Sequence, residues 1–158
     1  MSYYTRVFCS SKSKPRVNEI IESFNSKGFK VKINISNDNF NDLDWTNFEL
    51  YYDSNRLPLL IELNEKGDSD GLAKEEIAEF IEFVGKPSFF ELNKKKVINH
   101  LNNTEYIVCI QIPTSDIVDE GFDVNGELMS FFERNFSGMT QVDNEGFYIN
   151  NKLILKIE

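Results

Sequence analysis

The sequence predicts an α+β fold: two tandem βαββ-type repeats forming a mainly antiparallel sheet or pair of sheets, with helices covering one side and two extra helices between the repeats. Short apolar or alternating runs typical of strands are interspersed with stretches whose apolar residues recur at helical spacing. Residues 145–157 also align without a gap on residues 49–61, with six of 13 positions identical. The 158 residues, 41% of them hydrophobic, match the size of one core, so we expect 1–158 to be a single domain.

The first repeat, about residues 3–64, contains one helix and several strands. Val17, Ile20, Ile21 and Phe24 follow the spacing of one helical stripe, and Pro15 suits the first turn because its missing N–H is unpaired there. Alternation of apolar and polar residues predicts a strand exposed on one side at 29–35. The strands of this repeat are predicted at 5–10, 29–35, 48–52 and 57–63.

Two helices are predicted in the linker, about residues 72–103, after a flexible loop at 65–71. Ile77, Phe80, Ile81 and Val84 repeat the helical spacing on the first, which ends at Gly85. The second helix is predicted at 89–102, with Lys94, Lys95 and Lys96 mostly outward.

The second repeat, about residues 104–158, has the same order of elements. The prediction is a strand at 105–112, an acidic connection at 115–126 and a helix at 127–136. A strand at 140–142 follows, and then a hairpin of 146–149 and 152–157 that turns at Asn150 and Asn151.

Composition excludes several classes of function. The chain has 26 acidic and 17 basic side chains, a formal charge of −9, which argues against general binding to a nucleic-acid backbone. No apolar run reaches the roughly 18 residues of a membrane span, and the N-terminal residues lack the apolar core of a signal peptide. We therefore expect a cytoplasmic protein with no membrane and no nucleic-acid partner, and the sequence leaves its oligomeric state open.

Residues for common catalytic and metal sites are scarce. His100 is the only histidine, and Cys9 and Cys109 lie in apolar strand-like runs, so no zinc-ligand spacing is present. Both cysteines are predicted to be buried, unreactive thiols. A Gly-rich phosphate loop is absent from the sequence. The sequence thus predicts a non-enzymatic protein with no catalytic residues, no metal site and no cofactor.

Negative charge is concentrated in the second half of the chain. Residues 104–147 hold nine carboxylates and one cation, Arg134. Three interpretations of this acidic segment are open. It could bind a hard cation through its oxygen ligands, although the EF-hand spacing is missing. It could instead dock a basic protein, or it could simply be a solvated surface. The leading hypothesis is a protein-binding protein, an immunity-type inhibitor of a basic bacterial toxin. Its candidate partner-binding residues are Asp116, Asp119, Glu120, Asp123 and Glu127.

The alternative hypothesis is a small-molecule (effector) binding domain with a cleft between the two repeats. Aromatic residues of the two aligned hairpins would form its walls, and two glutamates would supply polar contacts. The candidate ligand-binding residues are Glu49, Tyr51, Tyr52, Glu145, Phe147 and Tyr148.

Several ordered motifs carry a resemblance across nearly the whole chain. They are Arg6-Val7-Phe8-Cys9-Ser10-Ser11, Asp44-Trp45 with Phe48-Glu49-Leu50-Tyr51-Tyr52, Glu75-Glu76-Ile77-Ala78-Glu79-Phe80, and Gly138-Met139-Thr140-Gln141-Val142-Asp143 with Glu145-Gly146-Phe147-Tyr148. In these motifs the chain resembles a group of small uncharacterised bacterial proteins with no assigned activity, so no catalytic residue is carried over from the resemblance. In topology alone, the predicted repeats are similar to GyrI-like effector-binding domains, which bind small amphipathic ligands between their halves.

Overall fold

All strands of the computed structural model, which describes residues 2–157, belong to one antiparallel sheet. Four helices complete the α+β fold. In chain order the elements are β1 (Ser2–Cys9), α1 (Val17–Ser26), β2 (Lys32–Asn34), β3 (Asn47–Tyr51), β4 (Leu59–Glu65), α2 (Leu72–Val84), α3 (Leu92–Asn102), β5 (Tyr106–Pro113), α4 (Asp119–Asn135), β6 (Gly138–Val142), β7 (Gly146–Ile149) and β8 (Lys152–Lys156).

The eight strands lie in the order β2-β3-β4-β5-β1-β6-β7-β8. The central pair, β1 and β5, is fully matched from Ser2 opposite Pro113 to Cys9 opposite Tyr106. Residues 7–9 of β1 and 106–108 of β5, which lie opposite each other, are buried on both faces and form short continuous apolar runs. The prediction of a mainly antiparallel sheet is confirmed, and the eight strands form one sheet rather than two.

Helices cover both faces of the sheet, not one. Val7 and Cys9 of β1 pack in a core with α1 and α4, whereas Phe8 packs on the opposite face with α2 and α3. The alternation of side chains along a strand makes this possible. The two helices predicted within the repeats therefore share one face, and the two linker helices cover the other.

The two halves have the same order of elements but different places in the sheet. In the first half the last strand, β4, pairs with central β5; in the second half the last strand, β8, lies at the outer edge. Cys9 ends β1 and Cys109 lies in mid-β5, with their side chains in cores on opposite faces. The hairpins that align in sequence thus occupy non-equivalent positions.

The acidic connection predicted at 115–126 is partly wrong, because α4 begins at Asp119. Gly121 and Gly126 favour a loop by propensity. A Cβ atom on Gly121 would lie only 2.7 Å from the Tyr52 ring, so close packing of the helix on the sheet requires glycine there. The helix is stabilised by burying Val124, Leu128 and Phe132.

Candidate functional site

Three of the predicted partner-binding carboxylates lie together at the N-terminal end of α4. Asp119 and Glu120 fill its first turn, where the helix dipole favours negative charge, and Asp123 follows one turn later. All three are exposed, and the structure gives them no ion pair or hydrogen bond within residues 2–157. Phe122 lies between them and is 43% exposed. We call Asp119, Glu120, Phe122 and Asp123 the acidic corner.

The other two predicted contact residues, Asp116 and Glu127, bind within the protein. The Asp116 carboxylate accepts a 2.6 Å hydrogen bond from the backbone N–H of Leu57 and pairs with Arg56 at 3.4 Å. Glu127 is largely buried and pairs with Arg134 at 3.0 Å. Both carboxylates therefore stabilise the fold, and the acidic corner does not include them.

The six residues predicted to line a cleft between the repeats are not brought together. Four strands separate β3 from β7, which places the two groups about 24 Å apart at the usual strand spacing. Tyr52 and Phe147 are buried in cores on opposite faces. The less buried members of the two hairpins form hydrogen bonds close by. Glu49 accepts one from Asn34, and the Tyr148 hydroxyl donates one to Glu145. Tyr51 lies in β3, next to Glu49 and Tyr52 in the chain. These six residues form no shared cleft, because the order of strands in the sheet puts the two hairpins towards opposite ends. The alignment of the hairpins in sequence did not specify that order.

A polar cluster around Arg6 was not predicted. Arg6, in central strand β1, is 16% exposed in its side chain and donates to Glu76 of α2. It also donates to Asp143 at 2.7 Å and to Gln141 at 2.8 Å. Burial alone would lower the pKa of Arg6, but the attraction of Glu76 and Asp143 outweighs it and the pKa is raised. The guanidinium therefore stays protonated, and the carboxylates of Glu76 and Asp143 compensate its charge.

A cavity of about 380 Å³ adjoins this cluster, between α2 and the β6–β7 end of the sheet. We call it the α2 cavity. Carboxylate, aromatic and aliphatic side chains all contribute to its walls. Its lining residues are Arg6, Glu76, Glu79, Phe80, Phe83, Gln141, Val142, Asp143, Asn144 and Ile157. Residues from four segments of the chain therefore meet at one concave site.

The turn between α2 and α3 presents an exposed aromatic pair. Phe89 and Phe90 are 79% and 86% exposed, and their rings stack edge to face with centroids 5.2 Å apart. The Lys95 ammonium lies 5.0 Å from the Phe89 ring centroid. The pair is a candidate contact surface, because large contiguous apolar patches on a protein surface often serve in recognition. The helix predicted to start at Phe89 instead starts at Leu92, which leaves both rings in the turn.

Titratable groups in the interior have structural partners. The Nε2 atom of His100 lies 2.6 Å from the Phe8 carbonyl oxygen, and burial lowers the pKa of His100 despite that bond. Cys9 and Cys109 are free thiols; Cys9 is buried, while Cys109 is only partly so. Burial and the neighbouring Glu76 raise the pKa of Cys109 to about 12, and burial raises that of Cys9 further.

Within residues 2–157, no group of three or more His, Cys, Asp or Glu side chains is placed to hold a metal ion. No helix in this range is both long and apolar enough to cross a membrane. Comparison with known proteins found no match to a family model, a curated protein or a solved structure.

Proposed function

We propose that this protein is non-enzymatic and binds a basic protein partner, most specifically as a cytoplasmic immunity-type inhibitor that masks a basic toxin. The observation that supports this proposal is the acidic corner. Its three carboxylates have no internal partner in the described chain and lie on the same helix end as an exposed phenylalanine, Phe122. Such a surface combines long-range attraction with an apolar contact, and both contribute to protein recognition.

The charges would act mainly on the rate and selectivity of association. Clustered carboxylates accelerate encounter with a cationic surface, and the acceleration falls as salt screens the charges. Phe122 would supply apolar contact area once the partner has docked. A toxin that acts on nucleic acid must itself carry a Lys- and Arg-rich surface, which is the chemistry that this corner complements.

The rigid base of the acidic corner also supports the proposal. Gly121 packs directly on the Tyr52 ring, and Val124 is buried in the core. The side chains of the corner therefore project from a fixed helix turn, which lowers the entropy cost of binding. The exposed pair Phe89 and Phe90 favours a protein-binding role as well, although it lies in a lysine-rich segment and does not specify a basic partner.

The test is a comparison of two triple variants with equal change in charge. D119N/E120Q/D123N removes the charges of the acidic corner, and the control E22Q/E75Q/E82Q removes three exposed helix-surface charges elsewhere. Immobilised wild-type protein should retain a discrete basic protein from a native bacterial lysate. The control should retain it as well, and D119N/E120Q/D123N should not.

Kinetics with the purified partner then test the mechanism. We expect the corner variant to associate at least about tenfold more slowly at low salt, with a smaller difference at high salt. F122A should mainly accelerate dissociation. Equal retention of the partner by both triple variants would rule out the acidic corner as the binding surface, and retention of no basic protein by the wild type would contradict the proposed function.

A further inference from the structure

We propose that the α2 cavity binds a small organic cation with an apolar body, such as an arylalkylammonium compound. This site is separate from the acidic corner, because α2 and α4 cover opposite faces of the sheet. The cavity volume of about 380 Å³ lies within the range of roughly 300–1,000 Å³ found for small-molecule sites.

The charges of the cavity select a cation. Three carboxylates, those of Glu76, Glu79 and Asp143, face one guanidinium. Arg6 already binds Glu76 and Asp143, so an anionic ligand would have to displace one of two partly buried carboxylates from it. Glu79 has no ion pair or hydrogen bond in the described part of the chain. It is therefore the carboxylate that a ligand cation would meet without breaking an existing pair.

The aromatic walls favour an organic cation. The Phe80 ring is fixed by edge contacts to Phe8 and Phe147 and already has the Arg6 guanidinium 5.2 Å from its centroid. Phe83, one turn from Glu79 along α2, is 66% exposed and has no ring contact or cation contact within residues 2–157. A cation next to an uncovered ring gains a cation–π interaction.

The remaining wall accounts for the apolar body of the ligand. Ile157 and Phe80 line the cavity and pack on the α2 face of the sheet, where they offer apolar side-chain surface. An ammonium group beside Glu79 and Phe83 would leave an attached apolar body against these side chains. A hydrated inorganic ion could not use this surface, because it has no apolar part to bury.

The experiment uses three probes of similar shape and different charge: 2-phenylethylammonium, neutral 2-phenylethanol and anionic 3-phenylpropionate. Their binding to the full chain is followed at pH 7 by ¹⁵N–¹H NMR titration. We expect the ammonium probe to bind most tightly and to shift the amide signals of Glu79, Phe83 and Asn144. The signals of the acidic corner should not move.

Two substitutions and two controls locate the site. E79Q and F83A should each weaken binding of the ammonium probe by about three- to fivefold, the range of exposed charge and cation–π contacts. E82Q and F90A change exposed residues that do not line the cavity and should leave it unaffected. Amide spectra of all four variants check that they remain folded.

Several outcomes would overturn the proposal. These are equal binding of the three probes, preference for the carboxylate, shifts confined to other regions, and binding that neither E79Q nor F83A weakens. D119N/E120Q/D123N should bind the probe as the wild type does, so this result is independent of whether a protein partner is found. A lysine-containing peptide that binds where the free ammonium probe does not would also contradict a small-molecule site.

Discussion

Substitution of Arg6 by methionine should destabilise the protein by leaving two carboxylates without their cation. Removing one partner of a fully buried ion pair costs about 3–5 kcal/mol. Here the side chains of Glu76 and Asp143 keep 22% and 29% of their exposure, so water compensates in part. We therefore expect the free energy of unfolding to fall by about 2–3 kcal/mol. Methionine retains most of the aliphatic packing, so the change isolates the charge.

Urea denaturation, followed by the fluorescence of buried Trp45, measures this change. The triple variant R6M/E76Q/D143N should be more stable than R6M alone, because the orphaned charges are gone. A loss of only about 0.5 kcal/mol, typical of a surface pair, or no recovery in the triple variant would refute the reasoning.

Three further predictions concern local structure. G146A should destabilise the protein by more than about 3 kcal/mol, because φ is +142° at this position and the new Cβ would lie 2.0 Å from a β8 carbonyl oxygen. G126A, at a helix position with open space around it, should stabilise the protein by about 0.5–1 kcal/mol. Urea midpoints that rank the two variants in the opposite order would contradict this. Because burial lowers the pKa of His100, the unfolded chain binds its proton first, so stability should decrease as the pH falls through about 6.5, and H100Q should flatten that part of the curve. Cys9 and Cys109 should resist iodoacetamide at pH 8 until urea unfolds the chain, and mass spectrometry showing rapid native labelling would argue against their raised pKa values.

The elements that sequence reasoning located best depend on local interactions. The β7 strand has the predicted bounds, and Asn150 and Asn151 both adopt positive φ in the turn that follows. Asparagine tolerates this conformation through its own side chain, so residue type alone predicts the turn. The stripe of Ile77 and Val84 likewise predicted the buried face of α2, because helical periodicity needs no knowledge of the partner.

The N-terminal half of α4 could not be predicted in this way. The glycine at position 121 has low helix propensity, and its role becomes visible only when the Tyr52 ring is placed against it. That contact joins residues 69 positions apart in the sequence. Tertiary packing here overrides local propensity, which is the usual reason that such predictions fail.

The α2 cavity depends on sheet order and was therefore beyond the reach of sequence patterns. Arg6, Glu76 and Asp143 meet because β6 returns to the free side of β1 while α2 crosses the same face. The one sequence signal was an arginine in a predicted strand, directly before the apolar run 7–9. Such a residue needs a buried partner, but the sequence does not say which carboxylates provide it.

Counting the charges in each segment of the sequence located the acidic excess, but it did not show which carboxylates lack a partner within the protein. Three of the nine carboxylates in residues 104–147 form ion pairs with arginines. Two of these arginines, Arg6 and Arg56, belong to the first half of the chain. Two more accept hydrogen bonds from side chains or backbone of the second half. The unpaired carboxylates of the acidic corner remain, together with Glu105.

Helix α2 presents a second set of unpaired carboxylates, Glu75, Glu79 and Glu82, on the opposite face of the sheet. A cationic protein attracted by net charge alone would respond equally to the loss of any three exposed carboxylates. A partner that recognises the acidic corner would respond only to the loss of its own three. The control E22Q/E75Q/E82Q removes two of these α2 charges and that of Glu22 on α1. Its contrast with D119N/E120Q/D123N therefore separates specific recognition from general electrostatic attraction, because both variants make the net charge of −9 less negative by three units.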